Sequence, residues 1–360
     1  MTTPLGFDAL QGILHRRIAH LPAHRKASPN TQYAIHDAAL GAFGIFFTQS
    51  PSLLEYQRRL HQTKGHNNAA TLFDVQQMPC DNQVRTRLDP IAPSHLEAVF
   101  LAVFEELEPP HMLAPFRVLG NQLCVALDGT NSFSSKALHC QHCLRRQLST
   151  GQPLYYPPAI TPVIVCPGHA QVMALPPEYI MPQDGHAKQD GERAAGKRWL
   201  AKHAERVAPH GVTFLGDDLS SNQPLCALVL QRGGNFIFTC TPDSHATLAE
   251  RVAFWQATDG MAESTGRRWK GRFTEVTLVR SLNDVFLRSG DEALSVNWFA
   301  LTVVNAKTGE QLYHNSCITT HRLTADTVGQ VAQASRGRWK IESVPQAHRK
   351  EAWYELSTCV

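Results

Sequence analysis

Two short apolar runs that each end in aspartate constrain the fold of this chain more than any other feature. Residues 122–127 (QLCVAL) lead directly into Asp128, and residues 212–215 (VTFL) lead through one glycine into Asp217 and Asp218. Each run is short, mostly apolar and bounded by turn residues, a pattern that is typical of a buried β-strand. The sequence therefore predicts two buried strands with carboxylates at their carboxyl ends.

The segments around these runs predict an α/β chain with a helical beginning. Residues 1–108 are mostly helical by periodicity, and Pro109 and Pro110 mark a boundary. Beyond it the pattern gives three strands, a helix, a strand, a helix and a strand, followed by a β-rich stretch at 266–320. The remaining strands are predicted at 162–166, 171–175 and 235–241, and helices at 190–207, 224–230 and 324–335.

The composition excludes several classes of protein. Hydrophobic residues make up 43% and charged residues 18% of the chain, which is ordinary for a globular protein and excludes wholesale disorder, collagen and coiled coil. The longest apolar stretch, 38–47, is too short to cross a bilayer, so we expect no membrane partner. The first residues show no basic-then-apolar signal pattern, which predicts a cytoplasmic protein.

A third carboxylate, Glu342, lies in a helix-like segment and joins Asp128 and Asp217 as a candidate. Carboxylates at the ends of adjacent parallel strands can share a site, and their oxygens suit Mg²⁺. Taken singly, each residue is better explained as a turn or a helix cap, so the prediction depends on their joint placement. Asp217 directly follows its strand and is favoured over Asp218, which is expected to cap the segment after it.

Four segments together resemble a known family. They are CVALDGTNSFSS, PPEYIMPQDGHAKQDGERAAGKRWL, LGDDLSSNQPL and ASRGRWKIE, in that order. Over roughly residues 30–342 the chain resembles the DDE transposases of bacterial insertion sequences. The resemblance implies an α/β fold with an RNase H-like mixed-sheet catalytic core, a β-rich insertion and a preceding helical region. The domains expected on this basis are a helical region that is a candidate for DNA binding (1–110), the first part of the core (111–265), the insertion (266–323) and a helix with the catalytic Glu and tail (324–360).

The resemblance also implies an activity and its residues. Matched by position, Asp128, Asp217 and Glu342 are the catalytic metal ligands, with Asp128 bridging two Mg²⁺ or Mn²⁺ ions and the others each completing one. The reaction expected is cleavage of the element's DNA ends, followed by attack of the freed 3′-OH on target DNA. The expected partners are double-stranded DNA, as terminal inverted repeats and target, and a second copy in an active homodimer associated with the nucleoid.

The end of the chain departs from the family pattern. Relatives carry Tyr-x-x-Arg-x-x-x-Glu; Arg338 and Glu342 match it, but Ser335 occupies the Tyr position. Pro345 then disfavours a continuing helix, and the tail 346–360 is unlike the family, which favours a truncated or frameshifted element. Two alternatives follow: an inactive remnant that only binds DNA, and a stand-alone RNase H-like nuclease, against which the long insertion argues.

A second metal is predicted in the loop 139–169. Cys140 and Cys143 form a CxxC pair, and Cys166 and His169 follow as a second pair of soft ligands, a set that suits a structural Zn²⁺. An equally supported interpretation is that Cys166 is a buried strand cysteine and the CxxC residues are ordinary reduced thiols.

A basic segment predicts contact with nucleic acid. Residues 266–272 (GRRWKGR) interleave Trp269 with four cations, a combination that can neutralise phosphates and stack on an exposed base. The alternative is a solvated hairpin face, and the net charge of +3 permits a nucleic-acid partner without requiring one. Arg338, four residues before Glu342, is expected to pair with it or to meet a phosphate. The candidate DNA-binding residues are Arg267, Arg268, Trp269, Lys270, Arg272 and Arg338.

Overall fold

The described chain falls into two compact units, one helical and one that combines helices with sheets. The described residues up to Leu113 belong to the first unit, and Ala114–Ile341 form the second. The mixed α/β class predicted from the sequence is confirmed. Within the part that is described, no helix is both long and apolar enough to cross a membrane. The computed structural model describes residues 6–22, 33–62, 68–108, 112–131, 133–137, 139–182 and 191–341.

The described part of the first unit is helical, as its apolar periodicity predicts. Its core joins Ile18, Leu40, Phe73 and Val75, all nearly inaccessible to solvent. Gly44 lies against the ring of Tyr56, where a side chain at that position would collide with the phenol. The helices are α1 (Phe7–Ile18), α2 (Ile35–Phe47), α3 (Leu53–Gln62), α4 (Asn68–Phe73), α5 (Asp81–Leu88) and α6 (Ser94–Leu107).

The second unit is built on a large sheet with helices between its central strands. The first strands are β1 (Arg117–Val118), β2 (Gln122–Ala126), β3 (Gly129–Asn131), β4 (Leu144–Gln147), β5 (Pro153–Tyr156), β6 (Pro158–Ile160), β7 (Val163–Val165), β8 (Met173–Ala174) and β9 (Glu178–Tyr179). The later strands are β10 (Val212–Gly216), β11 (Asn235–Thr239), β12 (Ala262–Trp269), β13 (Thr274–Phe286), β14 (Ser295–Asn305) and β15 (Gln311–Thr319). The helices are α7 (Glu192–Val207), α8 (Gln223–Gln231), α9 (Ala246–Ala257) and α10 (Val328–Ser335).

The large sheet has a parallel centre and antiparallel flanks. Its strand order is β12-β13-β14-β15-β11-β10-β2-β7-β8, with β1 paired to β2. Strands β2 and β11 both run parallel to β10, while β7 and β15 run antiparallel to their central neighbours. Two small sheets, β3-β6-β9 and β4-β5, lie outside this path. The central strands are buried on both faces, which explains why they are almost continuously apolar.

The register of the two central strands aligns their ends. Ala126 of β2 is the partner of Leu215 of β10, and the amide of Leu127 donates to the carbonyl of Leu215 over 2.8 Å. Asp128 and Asp217 each follow two residues after this pair. The predicted aspartates therefore leave adjacent parallel strands at the same level, at the carboxyl edge of the sheet.

The β-rich stretch expected as an insertion is part of the same sheet. Strands β12 to β15 form an antiparallel ribbon, and β15 pairs with β11 through Ile237 and Thr319. Phe299 and Leu301 of β14 share one apolar core with Cys124 of β2. The ribbon thus extends the central sheet and begins at Ala262, a few residues before the predicted boundary at 266.

The end of the described chain interrupts the helix predicted through Glu342. Helix α10 ends at Ser335, a 3₁₀ turn (Arg336–Trp339) follows it, and Lys340 and Ile341 are again helical. Gly337 in this turn lies against Val165 and Leu215, so the turn packs across the central strands. Ile341, fully buried in the same core, is the last residue described.

Candidate active site at the edge of the central strands

Asp128 and Asp217 line one pocket at the carboxyl edge of the sheet. Its other polar lining residues are Glu192, Arg193 and Ser220. The carboxylate of Asp128 is largely buried, and its Oδ1 accepts a hydrogen bond of 2.9 Å from the amide of Gly129. The aligned register of β2 and β10 is what brings these two aspartates to the same pocket.

The neighbouring residues Asp217 and Asp218 have different roles. Asp217 lines the pocket and also caps the 3₁₀ turn Asp218–Ser220, because its Oδ1 accepts from the amide and the hydroxyl of Ser220, each at 3.2 Å. Asp218 turns away and accepts from the amide of Thr241 at 2.6 Å and from the hydroxyls of Thr241 and Ser244. The expectation that Asp218 is the capping residue is wrong, because the extended backbone of Asp217 points its carboxylate back at Ser220.

The hydrogen bonds of Asp218 fix it as an anion that joins two loops. Burial opposes its ionisation, but hydrogen bonds from Ser244 and Thr241 hold the pKa of Asp218 below its ordinary value. The loop after β10 is thereby tied to the loop after β11. This contact supports the sheet edge beside the pocket and leaves Asp217 as the aspartate that faces it.

Glu192 is a third carboxylate in the pocket, which the sequence pattern does not single out. It is the first residue of α7, and its carboxylate lies against the backbone of Gly129, so that a side chain at position 129 would displace it. Burial raises the pKa of Glu192, and the negative charges of Asp217 and Asp128 raise it further. The signal available in the sequence was its place in the first turn of the predicted helix 190–207, which follows the first strands.

Arg338 brings a positive charge to the same place. Its Nη1 lies 3.2 Å from Oδ2 of Asp128, across a separation of 210 residues in sequence. The 3₁₀ turn that carries Arg338 packs on β2 and β10, which explains how it reaches the strand ends. The expected pairing of Arg338 with Glu342, and the predicted catalytic role of Glu342, concern a residue outside the described part of the chain.

The four predicted zinc ligands are not gathered in one place. The sulfurs of Cys140 and Cys143 lie 3.6 Å apart, but no three of these four residues, all of them described, have ligand atoms within 4.8 Å of one another. Cys166 is buried at the end of β7, where its Sγ lies 3.5 Å from the carbonyl of Pro115. Lys340 donates to the carbonyls of Cys166 and His169, so the loop that carries them is held by a lysine.

The predicted DNA-binding residues of 266–272 lie on an exposed hairpin at the edge of the sheet. Arg267, Arg268 and Trp269 belong to β12, and Trp269 is 64% exposed. Side chains alternate along a strand, so Arg267 and Trp269 share one face while Arg268 lies on the other. Lys270 forms an ion pair of 3.6 Å with Glu275 of β13.

Two comparisons with known proteins identify no relative of this chain. No model of a known protein family matches the chain, and a search of curated proteins gives no match either. The function is therefore argued from the geometry of the pocket and from the sequence pattern.

Proposed function

We propose that this chain is a DNA transposase of the insertion-sequence type, with an RNase H-like core that cuts the ends of an element and joins them to target DNA. The observation that carries the proposal is the meeting of Asp128 and Asp217 in one pocket at the ends of adjacent parallel strands. These are the two aspartates that the family resemblance implies. The chain order of central strands and the helices α7 and α8 between them also agrees with that core.

The chemistry of the pocket carboxylates suits a divalent cation that prefers oxygen ligands, but Asp128, Glu192 and Asp217 do not have ligand atoms all within 4.8 Å of one another, so the carboxylates have to move together around an ion. Asp128 and Asp217 would hold Mg²⁺ or Mn²⁺, with Glu342 as the third ligand that the resemblance implies. Burial is the main cause of the raised pKa of Glu192, and the charges of Asp217 and Asp128 add a repulsion that a bound cation would relieve. Such an ion, when bound, activates the attacking oxygen and stabilises the leaving oxygen in phosphodiester cleavage.

The cations around the carboxylates suit a phosphate backbone. Arg338 contacts Asp128 and Arg193 lines the same pocket, so both guanidinium groups lie where a DNA phosphate would enter. The exposed hairpin that carries Arg267 and Trp269 offers a second, distal contact. In this arrangement the arginines orient the scissile phosphate and the aspartates hold the reacting centre.

The ion pair between Arg338 and Asp128 favours one further candidate function. It engages an oxygen of the aspartate that would ligate the metal, and a chain in which this contact persisted would bind DNA without cutting it. The candidates are therefore an active transposase and a DNA-binding remnant of one.

Cleavage and binding of one substrate separate these functions. The substrate is a duplex that carries the DNA on either side of the coding sequence, incubated with the full chain and Mg²⁺ or Mn²⁺. We expect nicking at the element ends and joined products, with Asp128→Ala abolishing both while binding in Ca²⁺ stays nearly intact. Asp291→Ala, which removes an exposed carboxylate of a turn, is the matched control and should cut at the parental rate.

Each alternative has its own outcome. Binding in Ca²⁺ without any cutting would establish the remnant. Equal cutting of unrelated duplexes with no joined product would identify a stand-alone nuclease. Parental cutting by Asp128→Ala would show that the assignment of this pocket is wrong.

A further inference from the structure

Three potential metal ligands converge in the first unit, in a place that the proposed function does not use. His15 lies on α1, His36 near the start of α2, and Asp74 directly after α4. One ligand atom from each lies within 4.8 Å of the other two. Across the described residues this is the only group of three or more histidine, cysteine or acidic side chains so closely spaced.

The chemistry of this set suits a transition metal. Two imidazole nitrogens and one carboxylate oxygen are common ligands of Zn²⁺, with bonds of about 2.0–2.2 Å, so neighbouring ligand atoms lie roughly 3.4 Å apart around a tetrahedral ion. The present ligand atoms lie within 4.8 Å of one another, so the three side chains have to move inward when an ion binds. The rings of His15 and His36 already meet edge to face, with centroids 5.3 Å apart.

The surrounding contacts hold the three ligands in place. The side-chain amide of Gln76 donates to Oδ1 of Asp74 at 2.8 Å. A hydrogen bond to a ligating carboxylate orients it and strengthens metal binding. Asp37, beside His36, accepts from the backbone amide of Gln76 at 3.0 Å, which ties α2 to the segment that carries Asp74.

The backbone of Asp74 agrees with this arrangement. Asp74 has a φ of 53°, in the left-handed region, a conformation that costs free energy and often marks a functional position.

We propose that His15, His36 and Asp74 form a binding site for a divalent transition metal of the zinc class. Because its ligands come from α1, α2 and the segment after α4, a bound ion cross-links three parts of the first unit. The site stabilises that unit, and its existence does not depend on the catalytic pocket or on DNA cleavage.

Metal titration of the full chain tests the proposal. The background is Cys140→Ser/Cys143→Ser, which removes the thiol pair as a competitor, and the probes are Zn²⁺ by calorimetry and Co²⁺ by visible absorption. We expect one tight equivalent and a rise in the melting temperature. Asp74→Asn and His36→Gln should each bind at least about tenfold more weakly, because even partners of ligands contribute tenfold or more.

The variants are chosen to preserve the fold. Asparagine accepts the left-handed backbone of position 74 and retains an oxygen for Gln76. His95→Gln is the matched control, since His95 is an exposed histidine of the same unit on α6. Parental binding by both ligand variants, or an equal loss in His95→Gln, would overturn the proposal. Variants that keep their metal-free melting temperature but lose the metal-dependent rise would support it.

Discussion

At the scale of single residues, the pocket at the carboxyl edge of the sheet brings three carboxylates together. Asp128, Glu192 and Asp217 line it together, and burial with the two aspartate charges raises the pKa of Glu192. Arg338 offsets part of this charge through Asp128. Titratable groups with shifted pKa values in a cleft are typical of functional sites. Such groups destabilise the fold, and they persist where function requires them.

Removing the charge of Glu192 should therefore stabilise the metal-free protein. Because its pKa is higher in the folded chain than in the unfolded chain, the parent loses stability as pH rises through that interval, and Glu192→Gln does not. We expect the variant to melt about 1–2 °C higher at pH 8, a small gain because solvent screens a half-exposed carboxylate. The gain should vanish below the pKa of the unfolded carboxyl, about 4.3.

Thermal melts from pH 4 to pH 8, without and with Mg²⁺, give the measurement. Glu250→Gln, an exposed glutamate of α9, is the control and should melt like the parent at every pH. Added Mg²⁺ should reduce the advantage of Glu192→Gln, since the ion relieves the part of the destabilisation that comes from the charges of Asp217 and Asp128. A variant less stable than the parent at pH 8 would contradict the repulsion inferred for this pocket.

Some of these pocket residues can be predicted from the sequence, and others cannot because their position depends on tertiary packing. Asp128 and Asp217 are predictable, because each ends an apolar run and parallel strands align their ends. Glu192 is not predictable, because the sequence does not show that the first turn of α7 lies beside the ends of β2 and β10. Arg338 is four residues before Glu342, which suggests a helical pair, yet its turn packs across β2 and reaches Asp128.

At the scale of elements, the exposed hairpin of β12 and β13 has two chemically different faces. Arg268 is the cross-strand partner of Glu275, which also pairs with Lys270. The negative charge of Glu275 therefore reduces the net positive charge of that face. Arg267 is the partner of Val276 and shares its face with the exposed Trp269. The face of Arg267 and Trp269 is therefore the better surface for a DNA backbone.

Replacing Arg267 should weaken DNA binding more than replacing Arg268. Each phosphate contact contributes about 0.9 to the slope of log affinity against log salt, so Arg267→Ala should lower the magnitude of that slope by about one. Arg268→Ala is the matched control on the opposite face and should change it less. Fluorescence anisotropy over a salt series with a labelled duplex measures both. Equal slopes for the parent and Arg267→Ala would exclude this face from the interface.

Elements were predictable where burial imposes one pattern. The apolar runs that became β2, β10 and β11 predict their strands within a few residues, because central strands exclude polar side chains. Helix α9 was not predicted, and the exposed Phe254 and Trp255 explain why: its apolar residues do not follow one buried stripe.

At the scale of the whole molecule, the second unit contains its own core. All the strand pairings of its sheets lie between residues 117 and 319, and the apolar cluster that joins the central strands to the ribbon runs from Cys124 to Ile341. The strand order could not be obtained from apolar runs alone. Local periodicity does not say that β15 returns to pair with β11, which makes the predicted insertion continuous with the core.

Because this core is self-contained, residues 114–341 should fold without the rest of the chain. We expect the fragment to unfold cooperatively and the amides of β2, β10 and β11 to exchange most slowly, since these strands are buried on both faces. Circular dichroism and hydrogen exchange provide the measurements. A fragment ending at residue 335 should melt at a lower temperature, because it loses the turn across Val165 and Leu215 and the buried Ile341. A molten 114–341 fragment would show that the sheet needs the first unit, and equal stability of the two fragments would show that the turn does not hold the strand ends.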